Sequence, residues 1–149
     1  MTRERFPDSS RRTLCYKGSF ILRTTFTAQS KDFNSEELAK EYVIDNYWTK
    51  GTKDLRGRER ETSGLKFLVT DEEDANKHFE EIKLFLLEDN ELIQELKNNK
   101  MDMFFDIGFT INTPEYISRF LNIDKDILKL MADAEVGLSI SSYLASEDD

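Results

Sequence analysis

The sequence predicts an α+β domain: about four strands in a mixed or antiparallel sheet, with helices mainly on one face. Three observations carry this. Met103, Phe105, Ile107, Phe109 and Ile111 alternate with Phe104, Asp106, Gly108 and Thr110, the period of a half-buried strand. Ala75, Phe79, Ile82 and Leu86 recur at the spacing of an amphipathic helix. "VGLSISSYL" then puts Val136, Leu138 and Ile140 on one side of a last strand and Ser139, Ser141 and Tyr143 on the other.

The remaining elements follow in chain order. Residues 1–17, with "RERFPDSSRR", read as a basic arm, residues 18–144 as the domain, and residues 145–149 as an acidic tail. The first strand turns Phe20, Leu22, Thr24 and Phe26 inward and Arg23 and Thr25 outward. A helix then starts at Asn34 or Ser35, with Glu36 and Glu37 at its positive end and Leu38, Tyr42 and Val43 as an inward stripe. "LKFLV" at 65–69 is a second strand. Thr70 and Glu73 form a candidate capping box for the second helix, and "NELIQELKNN" continues after a break near Asp89 and Asn90.

Past the 103–111 strand, Thr113, Pro114 and Glu115 mark a helix start. That pattern runs to Ala134 as one helix, or breaks at 122–124 so that Asp124 caps a second one carrying Ile127, Leu130, Met131 and Ala134. "FTAQSKDFNSEEL" and "FTINTPEY" echo each other, which suggests strand-helix-strand twice over, with a ferredoxin-like arrangement as the alternative.

Charge and composition bound the function. The formal net charge of −9 divides into +4 for residues 1–66 and −13 for residues 67–149, an asymmetry that bears on partners rather than on fold. Cys15 is alone, so no intramolecular disulfide forms, and no apolar run approaches the ~20 residues of a membrane helix. A cytoplasmic chain without membrane attachment is expected. The single histidine, His78, lies at the edge of an apolar stripe and reads as structural, and "DEED" at 71–74 reads as helix-start charge. Accordingly no catalytic residue, metal ligand or cofactor is assigned.

Two groups of residues are candidates for binding a partner. "NYWTKGTKDLRGRERE" concentrates Trp48, Lys50, Lys53, Arg56, Arg58 and Arg60. It fails as a phosphate loop, because five residues separate Gly51 from Gly57, Arg58 stands in the lysine position, and a strand follows. The overall charge and the interleaved Asp54, Glu59 and Glu61 argue against nucleic acid. Trp48 is expected to fold over the end of the first helix and the sheet edge, with Gly51 permitting the turn and the cations on an exposed connecting loop. The second group is the outward sheet face, where Gly108, Ser139 and Ser141 keep the surface flat and Phe104 and Tyr143 offer apolar anchors.

The succession of a first strand, an acidic helix, "YWTKG", a strand, a long amphipathic helix, "FDIGFT" and "GLSISSY", over roughly residues 18–144, resembles a bacterial domain-of-unknown-function family. The resemblance implies an α+β domain. It also implies an inhibitor role, because similar domains occur among candidate toxin-immunity proteins, and it carries over no catalytic residue. The basic arm and "TPEYISRFL" depart from the family's pattern. The expectation is a non-catalytic binding protein whose partner is a toxin or a second copy, as in a homodimer. A small enzyme using carboxylates and arginine, and a self-associating structural module, are the rivals.

Overall fold

In the computed structural model, which describes residues 21–111 and 121–144, β1 (Ile21–Ser30) is the middle strand of the sheet. β2 (Tyr47–Trp48), β3 (Ser63–Thr70), β4 (Asp102–Ile111) and β5 (Val136–Leu144) complete the order β2-β3-β1-β4-β5. β1 pairs antiparallel with β3 and β4, and β5 runs parallel to β4. The sheet is therefore mixed, and the two-residue β2 makes it five strands rather than about four. Among the described residues four helices, α1 (Glu36–Glu41), α2 (Ala75–Glu88), α3 (Asn90–Asn98) and α4 (Lys125–Asp133), send buried apolar residues into one cluster with Leu22, Phe26, Leu65, Phe67, Met103, Phe105 and Ile107. This is an α+β fold with the helices on one face. Phe26 lies at the centre of the core, its ring centroid 5.2 Å from Phe67, 5.3 Å from Phe85 and 5.5 Å from Phe105. Such ring pairs each add about 0.5–1.5 kcal/mol beyond area burial.

Only the second half of the proposed repeat exists: β4, α4 and β5 form a parallel crossover, but β1 and β3 are antiparallel. Between β1 and β3 the chain passes through the six-residue α1 and through β2, which itself pairs antiparallel with β3, and β3 returns beside β1 in the opposite direction. Capping of α2 also differs from the expectation. Asp74, not Thr70, accepts the amide of Lys77 at 3.0 Å, while Thr70 Oγ1 accepts that of Glu72 at 3.1 Å, and Ala75 is exposed. Asp124 stands at the N-cap of α4 without a side-chain cap bond, and residues 121–124 are not helical, so no single helix reaches Ala134. Phe20, the helix start at Thr113–Glu115, the arm and the tail lie outside the described residues.

Three helices end alike, and none uses glycine. Val43, Lys100 and Glu135 each take φ of 54–57°, and their amides bond back to Lys40, Lys97 and Ala132. The next residues, Ile44, Met101 and Val136, are buried, and in α1 and α3 their amides reach Ala39 and Leu96. This is the Schellman arrangement, in which a left-handed residue turns the chain and the apolar residue after it returns to the core. It explains why the expected stripe of α1 is corrected at Val43, which is exposed, while Ile44 takes the inward place. Tyr42 ties α1 to α3 by donating to Glu95 Oε2 at 2.8 Å, and burial followed by this bond pushes its hydroxyl pKa up.

A β-branched residue at positive φ is strained. Val43→Gly should therefore raise stability by on the order of 1 kcal/mol, read as a higher urea midpoint at unchanged slope. A lowered midpoint would show that the exposed Val43 side chain makes a contact of its own.

Candidate binding surfaces

The segment between β2 and β3 is a hairpin rather than an open loop. Gly51 N donates to Arg60 O at 2.9 Å, Arg60 N to Thr52 O at 2.8 Å, and Asp54 N to Arg58 O at 2.8 Å. At the tip, Gly57 N donates to Asp54 O at 3.0 Å and Gly57 takes φ 77°, a three-residue connection closed by a left-handed glycine. Asp54 organises it, since Oδ1 accepts the amides of Arg56 and Arg58, both at 2.9 Å, and Oδ2 lies 3.3 Å from Arg58 Nε. These bonds hold the Asp54 carboxyl below its usual pKa, the Arg58 amide being the largest cause. The result is a fully exposed Leu55 at the tip, with exposed Lys53, Arg56 and Arg58 around it.

Trp48 forms the root of this hairpin. Its half-buried ring lies against Gly64, and the Arg60 guanidinium carbon sits 5.6 Å from the ring centroid. A Cβ on Gly64 would meet both the Trp48 ring and, at 2.7 Å, the Ala28 carbonyl oxygen. Ser35 Oγ stands 2.9 Å from the Gly64 carbonyl oxygen and 3.3 Å from that of Trp48, joining the start of α1 to the β2–β3 edge. Lys50 N donates to Ser63 Oγ at 2.9 Å, which fixes where the hairpin leaves the sheet.

Of the six candidates named here from the sequence, Trp48 and Arg60 pack on each other, while Lys50, Lys53, Arg56 and Arg58 are exposed. Leu55 was not among them. The signal for it was present in "DLRG", with Asp at the first and Gly at the fourth position of a turn.

The other candidates lie at the opposite edge. Register places Phe104, Asp106, Gly108 and Thr110 beside Gly137, Ser139, Ser141 and Tyr143 on the face away from the helices. Ser141 Oγ donates to Asp106 Oδ1 at 2.9 Å, and the Tyr143 ring lies over Gly108. That face is less open than the alternation implies, for Thr27 and Leu68 are buried on it and Phe104 is half-buried. Leu138 and Ile140 do share the face of Phe105 and Ile107, yet both are exposed, because β5 is the last strand and the helix layer does not cover them.

His78 is fully buried. Its Nδ1 lies 2.8 Å from the Glu72 carbonyl oxygen, which only accepts, so Nδ1 carries the proton and Nε2 accepts the Thr24 hydroxyl at 2.6 Å. Both ring nitrogens are thus occupied within the fold. Among the described residues no three His, Cys, Asp or Glu side chains converge to hold a metal ion, and no helix is long and apolar enough to cross a membrane.

Two expectations follow from these contacts. Burial lowers the His78 pKa, so the folded chain holds it neutral while the unfolded chain takes up a proton near pH 6.5. Its contribution to stability is complete above that pH and is lost as pH falls through 6.5 toward the lowered folded value. The unfolding free energy should decline from pH 7 to pH 5, and in His78→Gln the decline should flatten, with stability at pH 7 lower by roughly 1–3 kcal/mol. Gly64→Ala should cost about 1–3 kcal/mol by overpacking and shift the emission of Trp48, the only tryptophan, and a Trp48→Leu background should relieve part of that cost. No family model, curated protein or solved structure matches this chain, and the two surfaces are therefore read from their own geometry.

Proposed function

We propose that this chain is a non-catalytic protein-binding module whose recognition element is the hairpin between β2 and β3. The observation that carries it is the fully exposed Leu55 on a tip held by Asp54 and surrounded by Lys53, Arg56 and Arg58. An exposed leucine gains by leaving water, and a rigid tip loses little conformational entropy on docking. Its complement is a protein surface with an apolar recess rimmed by carboxylates. A nucleic acid fits less well, since Trp48 is packed between Arg60 and Gly64 rather than free to stack, and Asp54, Glu59 and Glu61 share the hairpin. A cytoplasmic setting and an immunity-like inhibitor role extend this reading, the latter on the family resemblance alone.

The test uses the product of a neighbouring gene as the partner, co-expressed and co-purified with this chain. Leu55→Asp and Arg56→Glu should each weaken capture at least tenfold while the melting temperature stays unchanged, because neither side chain packs on the core. Raising salt should slow association more than it speeds dissociation. Undiminished capture by Leu55→Asp would remove the hairpin from the interface.

A further inference from the structure

We propose that β5 is a pairing edge for a second copy of this chain, two protomers joining antiparallel through β5 into one continuous sheet. This goes beyond the hairpin reading and rests on different residues.

The two edges of the sheet are unlike. On one side β2 has two residues before the chain turns away into the hairpin. On the other, β5 has nine, paired with β4 at nine successive positions without a register shift, and among the described residues no strand pairs with its outer side, which there presents a long row of backbone donors and acceptors. Natural edge strands are guarded by lysines, prolines, bulges or brevity. β5 has none of these, and residues 136–146 are the longest uncharged run in a chain whose residues are 34% charged. Exposed apolar groups gather at the same edge: Leu138 at 36%, Ile140 at 52%, Tyr143 at 59%, and Leu128 at 45% on the adjoining α4.

Symmetry and charge point to a second copy as the occupant. An antiparallel strand pair is self-complementary across a two-fold axis, so one edge supplies both halves of the ladder. Residues 67–149 carry −13, and like charge opposes the approach of two such halves over most of their surface. β5 itself carries no charge, and within α4 Lys125 and Lys129 offset Asp126 and Asp133, with Asp124 and Glu135 flanking the helix and three carboxylates at 147–149 following the strand in sequence. Full overlap of the two strands sets Ile140 on the axis, facing its counterpart. Strand pairing with these side chains gives an interface on the order of 1,000 Å² in total, at the lower end of specific ones.

The experiment is mass measurement by light scattering at about 100 µM, above the micromolar range in which small specific interfaces dissociate. The full chain should show twice 17.5 kDa and Ile140→Lys a single chain with unchanged circular dichroism. Ser139→Lys, exposed on the other side of the same strand, is the second variant should Ile140→Lys fail to fold. Leu55→Asp and Leu87→Lys should leave the mass doubled, and dilution should deprotect the amides of residues 137–143 in hydrogen exchange. A chain that stays single overturns the proposal and leaves the edge to a strand of another protein. A dimer that survives a folded lysine variant overturns it as well.

Discussion

The ring of Phe26 is the contact on which the architecture turns. It is fully buried in the middle strand and meets rings from β3, β4 and α2. Side chains alternate along a strand, so a slip of one residue would send Phe26 to solvent and bring Thr25 into the core. The aromatic cluster thus sets the register of β1 against both neighbours. The pairing of β1 with β3 shifts between Thr24 and Thr25, where Thr24 faces Thr70 and Thr25 faces Leu68. Thr24 lies on the helix side by alternation with Phe26, its hydroxyl meeting His78, and the shift, with Val69 the extra residue in β3, brings the buried Thr70 opposite it. A polar pair in the core is tolerated because each partner's hydrogen bonds are satisfied.

What the sequence reveals follows how local the physics is. The strands at 103–111 and 136–144 and the second helix were legible because alternation and helical spacing need no knowledge of the rest of the chain. The helix ends were not. Their left-handed residues are Val43, Lys100 and Glu135, types that carry no signal for positive φ, and only the buried Ile44, Met101 and Val136 after them betray the turn. Strand direction was also hidden, since the echo of "FTAQS" and "FTINT" describes composition, whereas direction depends on where the chain lies after the β2–β3 hairpin, which brings β3 back antiparallel to β1.

The candidate site was legible in part for the same reason. Clustering of cations shows in any count, and Gly51 and Gly57 do adopt the positive φ that turns require. The position of Leu55 depends on hydrogen bonds from Asp54 across the turn, a pattern present in the residues but meaningful only once the segment is taken as a hairpin. Exposure of Leu138 and Ile140 was less accessible still. Their alternation correctly names the face they share with Phe105 and Ile107, but burial depends on what lies above, and that is settled by β5 being outermost.

The two surfaces lie at opposite ends of one sheet. From β2 to β5 is four strand spacings, about 19 Å at 4.8 Å each, so a partner on the hairpin and a strand on the β5 edge need not compete. Their chemistries differ as well. The hairpin offers five cations against three carboxylates and a single apolar tip, suited to an acidic partner and sensitive to salt. The β5 edge offers backbone bonds and uncharged side chains, which salt screens little. On the two proposed readings the basic hairpin would meet an unlike, acidic molecule, and the uncharged β5 strand would be where like charge opposes a second copy least along that edge.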